Sequence, residues 1–385
     1  MRICIYSLSP KVGGGVITKT LLLLRYLLNN DHDVVWIFPK TSGDMPVYIK
    51  NLTGYSNLKI IEKPTFRYLR IMDAFELFSK VEGDFDIYQV ISGYCVDGII
   101  FRRLPRNYFI WAATTLTSEK SATLEYPPKN LKQLISFLNY KLGLPFEKYS
   151  AQRAYKIFAA SNLSRKKIIN EFSLDPNMVR LVHPIIDTEN YAYKPIEFRQ
   201  GQEPYVLFMG IFSRRKNLDL LIASFVNVHA NNPGIKLKLV GKTNGFLHYY
   251  QKLITSLGLS NSIDIVGEVS NNVDWYQNAI CTVLTSNEEG FGMVLAESLS
   301  CGTPVISTTS GGVSDIVEDQ VNGFLVEKNV NAISEGIIRL CNDVDLRKRF
   351  SINGRRLIEE RFSIDSIGKK IMEEYYNFSR HRAKK

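Results

Sequence analysis

The chain offers little that would announce a membrane span, a metal centre or a disulfide framework. No apolar run approaches the roughly 18 residues that a spanning helix needs, and the longest candidate, at 21–28, is broken by Arg25. The opening residues 1–7, MRICIYS, are too short in their apolar part for a signal peptide and read as the first strand of a cytosolic protein. Cys4, Cys95, Cys281, Cys301 and Cys341 stand far apart, with no C-x-x-C pair and no histidine at metal spacing. They read as buried apolar thiols, and no metal site is expected. Internal repeats and low-complexity tracts are missing too. Gly13-Gly14-Gly15 is not a G-x-G-x-x-G turn, and no acidic residue closes the run DVVWIF at 33–38, which argues against a dehydrogenase.

What the chain has is size, apolar content and positive charge. Its 385 residues exceed one ordinary core and predict two domains. With 45% hydrophobic and 22% charged residues, the composition is globular. The formal charge of +10 asks for an anionic partner: a nucleotide, an acidic lipid surface or nucleic acid. Nucleic acid is not expected, because no stretch concentrates basic and stacking aromatic residues.

Short β-branched runs alternate with helical periodicity. A strand at 2–6, a glycine loop and a helix carrying Ile17, Leu21, Leu24 and Leu28 open the chain, and further strands are predicted at 58–61, 86–90, 107–111, 156–159 and 179–182. That alternation predicts a parallel, doubly wound sheet. Residues 188–203, with Pro195 and Gly201 among polar neighbours, predict a linker between a domain at 1–187 and one at 204–363. The second domain restarts with a strand at 205–209, a loop to Lys216 and a helix that Asn217 would cap. Strands at 236–240 and 262–266 then leave through Gly241 and Gly267.

Two stretches carry chemistry. In EGFGMVLAE, residues 289–297, Gly290 and Gly292 let the backbone turn and a ligand approach, and 291–300 reads as a helix ended by Gly302 and Pro304. Such a start presents unpaired N–H groups to an anion with a carboxylate beside them. Glu289 and Glu297 then suit a polyhydroxylated molecule whose phosphates face the helix. Arg215 and Lys216 stand directly before another helix start, where positive charge opposes the dipole unless an anion lies among them. A diphosphate is such an anion, gripped by Arg through two parallel hydrogen bonds and by Lys as a point charge.

The E-x7-E pattern of Glu289 and Glu297 resembles that of retaining glycosyltransferases of family four. Gly302-Thr303-Pro304-Val305-Ile306, Gly311-Gly312 and Asn322-Gly323-Phe324-Leu325-Val326 are similar as well. The resemblance covers nearly the full length and is strongest from Tyr205 onward. It implies an α/β chain of GT-B fold, two Rossmann-like doubly wound parallel-sheet domains facing a cleft, with a last helix at about 364–380 crossing back onto the first domain. It implies a nucleotide diphospho-sugar donor, with catalytic Glu289, Arg215 and Lys216. Gly14 and Gly15 would pack over the donor's phosphates, Arg214 would add to the diphosphate contact, and Glu268 would mark the backbone that holds the base. Phe291, Gly292 and Met293 would open the donor helix, and Glu297 would hold the ribose. No metal and no cofactor are implied.

Two departures from the family stand out. Ile211 follows Gly210 where an Arg is usual, and no histidine lies between His32 and His183, although members carry one after the strand at 107–111. Because the attacking hydroxyl in such enzymes is thought to lose its proton to the donor's own phosphate, this does not remove the chemistry. Thr114, Thr115 and Glu119 become acceptor candidates, with a plain strand end as the other reading.

The sequence therefore predicts a metal-independent, retaining hexosyltransferase that takes a UDP- or GDP-sugar to a saccharide or lipid-linked hydroxyl, in glycan, glycolipid or cell-surface polysaccharide synthesis. A nucleotide-sugar-binding protein without turnover is the alternative. Between Lys129 and Lys167 nine basic residues face a single acidic one, Glu147, while Leu131, Leu134, Ile135, Leu138 and Leu142 recur at helical spacing. That segment reads either as a core helix with solvated lysines or as a peripheral contact with anionic membrane at its inner face.

Overall fold

The computed structural model describes residues 1–12, 14–40, 46, 49, 52, 54–63, 84–93, 95, 97, 107–115, 131–198 and 203–383, with the backbone alone at 12, 131–140, 142 and 198. Gly13, Glu119 and Lys129 lie outside the described residues. The chain divides into two compact units, Met1–Ile185 with Ile364–Lys385, and Ile186–Ser363.

Unit 1 is built on a seven-stranded sheet: β1 (Arg2–Ser7), β2 (Asp33–Pro39), β3 (Leu58–Lys63), β4 (Ile87–Ser92), β5 (Tyr108–Ala112), β6 (Lys156–Ala159) and β7 (Val179–Leu181). Their order is β3-β2-β1-β4-β5-β6-β7, and each pair is parallel. Strands buried on both faces must be apolar throughout, and all five residues of β5, YFIWA, are buried. The described helices are α1 (Gly15–Asn29), α2 (Leu131–Arg153) and α3 (Asn162–Phe172). Two indoles are satisfied inside the unit: Trp36 Nε1 donates to Ser7 Oγ at 2.9 Å and Trp111 Nε1 to the Val182 carbonyl at 2.9 Å. The sequence ends β4 two residues too early, since Ile91 and Ser92 continue the ladder against Trp111 and Ala112.

Unit 2 repeats the plan with six strands, β8 (Tyr205–Met209), β9 (Lys236–Val240), β10 (Ile263–Gly267), β11 (Cys281–Leu284), β12 (Val305–Thr308) and β13 (Gly323–Val326). They run parallel in the order β10-β9-β8-β11-β12-β13. Around them lie α4 (Leu218–Asn231), α5 (Leu247–Ser256), α6 (Val273–Asn278), α7 (Met293–Ser300), α8 (Val330–Asn342) and α9 (Val344–Arg361). Asn217 does not cap α4 through its side chain as the sequence suggests. It sits in the left-handed region at φ 49°, ψ 48° and closes the preceding turn, its N–H bonded to the Arg214 carbonyl.

From β8 the chain winds to β9 on one side, while β11 pairs on the other. The carboxyl ends of β8 and β11 thus flank the point where the winding reverses, which is where open α/β sheets bind ligands. After α9, an isolated bridge pairs Ile186 with Ser363, and the Ile186 N–H donates to the Phe362 carbonyl at 2.8 Å. The final helix, α10 (Ile364–Ala383), belongs to unit 1. Its Tyr375 and Phe378 rings pack edge-on against Phe109 at 5.0 and 5.6 Å, and Tyr375 donates to Gln89 Oε1 at 2.8 Å.

Candidate active site in the second unit

Two loops meet at that reversal point. Beyond β8 the chain makes a short turn at Arg214–Lys216, and beyond β11 it runs through 285–292 into α7. Polar backbone groups that leave a sheet need partners, and here they find each other. Thr285 Oγ1 donates to the carbonyls of Lys216 (3.2 Å) and Asn217 (3.0 Å), the Asn287 N–H to that of Arg215 (2.8 Å), and Arg215 Nη1 to that of Glu288 (2.7 Å).

That stitching brings three side chains together. Lys216 Nζ lies 2.6 Å from Glu289 Oε1, and Arg215 Nη1 lies 3.2 Å from the same oxygen. Glu289 and Lys216 are buried, at 7% and 8% exposure, while the Arg215 side chain is 43% exposed. Burial pushes the Glu289 carboxyl up, but the Lys216 and Arg215 charges beside it outweigh that and hold it below the usual carboxylate range. Burial pulls the Lys216 ammonium down, and Glu289 opposes the pull. The anion that relieves the two cations at the helix start is therefore, in the free protein, Glu289 itself. Of the three N–H bonds on Lys216 Nζ, one has a partner among the described residues.

The backbone of Glu289 is fixed from behind. Gly311 has φ 68°, and a Cβ there would stand 1.9 Å from the Glu289 carbonyl oxygen, which the Gly312 N–H binds at 2.8 Å. Only glycine tolerates that approach. The sequence shows this pair as a family-like motif without revealing what it touches. Gly210, at φ 149°, leaves its place beside Lys216, whose Cε would be 3.6 Å from a Cβ. Ser310, next to Gly311, buries a hydroxyl that has no partner among the described residues.

The acidic loop ends at Gly292, which takes φ 100° and caps α7 without any side-chain bond. The opening N–H groups of α7 are thus left available to an anion. The helix starts two residues later than the sequence suggests. Phe291 instead turns into the core, 5% exposed, with its ring 5.6 Å from that of Phe362, so only its backbone can meet a ligand. Met293 opens α7 and is partly buried. Glu297, on the second turn, accepts a hydrogen bond from Tyr276 at 2.7 Å. No sequence signal marks Tyr276, which reads there as an ordinary core aromatic.

The other candidates are more scattered. Arg214 shares the turn with Arg215 and is exposed. Glu268 is exposed beyond the edge strand β10, two strands from β8, and is not brought to Glu289. Gly14 and Gly15, exposed at the start of α1, belong to unit 1. So do Thr114, partly buried with its N–H on the Gly93 carbonyl, and Thr115, which is buried. Among the described residues no group of three His, Cys, Asp or Glu side chains could hold a metal ion.

Comparison with known proteins bears on this geometry. Residues 191–357 match the family model described as "Glycosyl transferases group 1". A Methanocaldococcus jannaschii protein named as an uncharacterized glycosyltransferase is 34% identical over 217 residues, 55% of this chain and 57% of its own length. A second protein of that name and organism is 23% identical over 389 residues, 95% of each chain. Among solved structures, HepE of Anabaena in complex with UDP and glucose superposes with a TM-score of 0.76 at 19% identity, over 98% of this chain and all of the other. At that identity the likeness speaks for the fold alone.

Proposed function

From the premise that this GT-B chain resembles the family-four glycosyltransferases and that its second unit matches their group 1 model, we propose that it transfers a hexose from a UDP- or GDP-sugar to an acceptor hydroxyl with retention at the anomeric carbon. The observation that carries the reading is the Arg215–Lys216–Glu289 cluster at the reversal point of the second sheet, beside the uncapped start of α7. HepE, with UDP and glucose bound, is a protein of the same fold and supports a nucleotide-sugar donor.

In this reading the predicted second domain, at 204–363 within unit 2, takes the donor, and the predicted first domain, at 1–187 with the last helix, takes the acceptor. Arg215, Arg214 and the remaining N–H bonds of Lys216 hold the departing diphosphate together with the opening amides of α7. Each donor aimed at charge that develops in the transition state is worth a few kcal/mol, about 3. Glu289 is already ionised and fixed by Gly312, so it meets the sugar hydroxyls and the positive anomeric carbon without reorganising. Glu297 takes the ribose and the backbone near Glu268 the base. On unit 1, the resemblance assigns Gly14 and Gly15 to phosphate contact and Thr114 and Thr115 to the acceptor. Metal independence follows from the resemblance, and activity should persist in EDTA. An acceptor of the saccharide or lipid-linked class fits, and exposed Lys141 and Lys148 on α2 support a peripheral contact with anionic lipid at a cytoplasmic membrane face.

The reading is tested by screening UDP- and GDP-sugars for transfer and slow donor hydrolysis, in wild type and in Glu289→Gln and Lys216→Ala. Each substitution should remove most turnover while circular dichroism stays unchanged. Near-normal activity in either variant overturns the assignment of that residue. Donor binding with no turnover on any acceptor would favour a binding protein instead.

A further inference from the structure

Glu297, unlike Glu289, meets no cation among the described residues. The groups that face it are two phenols. Tyr276, fully buried on α6, donates to Glu297 Oε2 at 2.7 Å, and the Tyr191 hydroxyl lies near the same carboxylate. Asn272 Nδ2 donates to the Tyr191 hydroxyl oxygen at 3.1 Å, which leaves the phenolic proton available to an acceptor.

Both phenols are themselves held. The Tyr276 carbonyl accepts from Thr303 Oγ1 at 2.6 Å, and that of Tyr191 from Ser300 Oγ at 2.8 Å and Arg355 Nη1 at 3.0 Å. The two rings meet edge-on at 6.0 Å. Glu297 nevertheless keeps some exposed surface. Burial raises its carboxyl to about 7 even though the two phenols oppose the rise. Cys301, beyond the phenols, is the other ionisable group felt by this cluster. Arg355 touches it only through the Tyr191 backbone.

We propose that Tyr191 and Tyr276 are positioning residues that orient the Glu297 carboxylate as an acceptor for the vicinal diol of the donor's ribose. Because only the ionised carboxylate can accept from both hydroxyls, donor affinity should rise with pH. The proposal rests on the reading of Glu297 as the ribose contact. An ionised carboxylate has about four lone-pair sites, enough for two phenols and two hydroxyls. A protonated one loses part of that capacity and presents a proton of its own.

The test is calorimetric titration of the full chain with UDP and with GDP from about pH 5.5 to about pH 8.5, in wild type, Glu297→Gln, Tyr276→Phe and Tyr191→Phe. The Glu297→Gln profile carries whatever titration belongs to the nucleotide's own phosphate. The ratio of its Kd to that of wild type should climb from near unity at the acid end to about tenfold at the alkaline end. Either Tyr→Phe change should move that climb to higher pH, a shift that a merely structural tyrosine would not produce. A large ratio that is flat with pH, or a climb that neither tyrosine variant moves, overturns the proposal and leaves the ribose assignment standing. A ratio of unity at every pH, or binding of neither nucleotide, overturns both.

Discussion

At the residue scale, the chemistry of a side chain was legible where charge stood against backbone, and hidden where it depended on packing. Arg215 and Lys216 stand out in the sequence because two cations precede a helix start, but nothing there shows that Glu289 is their partner in the free protein. Lys19 is the opposite case. It falls among the leucines of α1 with nothing in the sequence to single it out, and it is 2% exposed, donating to the carbonyls of Ser92 (3.3 Å) and Trp111 (3.2 Å). Burial pulls its ammonium down to about 7. Between that value and the ordinary lysine range the unfolded chain binds the extra proton, so stability should rise with pH there, by up to about 1.4 kcal/mol per unit. Denaturant unfolding of wild type and Lys19→Met should show this slope in wild type alone, and equal slopes would refute it. Ser310→Ala should leave the melting temperature unchanged or raised, because a buried hydroxyl without a partner contributes nothing to the free protein.

At the scale of elements, strands and long helices follow from pattern, while their ends follow from local backbone geometry that pattern does not carry. The late start of α7 and the left-handed Asn217 are both of this kind. Asn217→Gly should be close to neutral for stability, whereas Asn217→Ala should cost about 1 kcal/mol, since only residues that tolerate the left-handed region close that turn cheaply. The Gly311 contact belongs to the same scale, because it joins the loop after β12 to the loop after β11. Gly311→Ala would drive a methyl into the Glu289 carbonyl, and the loops must part to admit it. Turnover should fall at least tenfold as Glu289 shifts, while hydrogen exchange in β8 and β11 remains as slow as in wild type. Retained activity would mean that the carbonyl's position does not matter.

At the scale of the molecule, the alternation of strand and helix declared two parallel sheets because that topology leaves few alternatives. Strand order lay beyond reach, and the return of α10 to the first domain was implied by the resemblance alone, since both depend on contacts across hundreds of residues. Unit 1 is completed by α10, which brings Tyr375 and Phe378 onto β5 after the whole of unit 2 has intervened. Deleting 364–385 should therefore strip amide protection from Tyr108–Ala112 and spare Tyr205–Met209 and Cys281–Leu284, which mass spectrometry can read in one exchange experiment. For a nascent chain, the same discontinuity reverses the usual order of maturation. Unit 2 is a single stretch and can close as soon as it clears the ribosome, whereas residues 1–185 wait with Phe109 uncovered until α10 arrives, and are for that interval the part of the molecule a chaperone would hold.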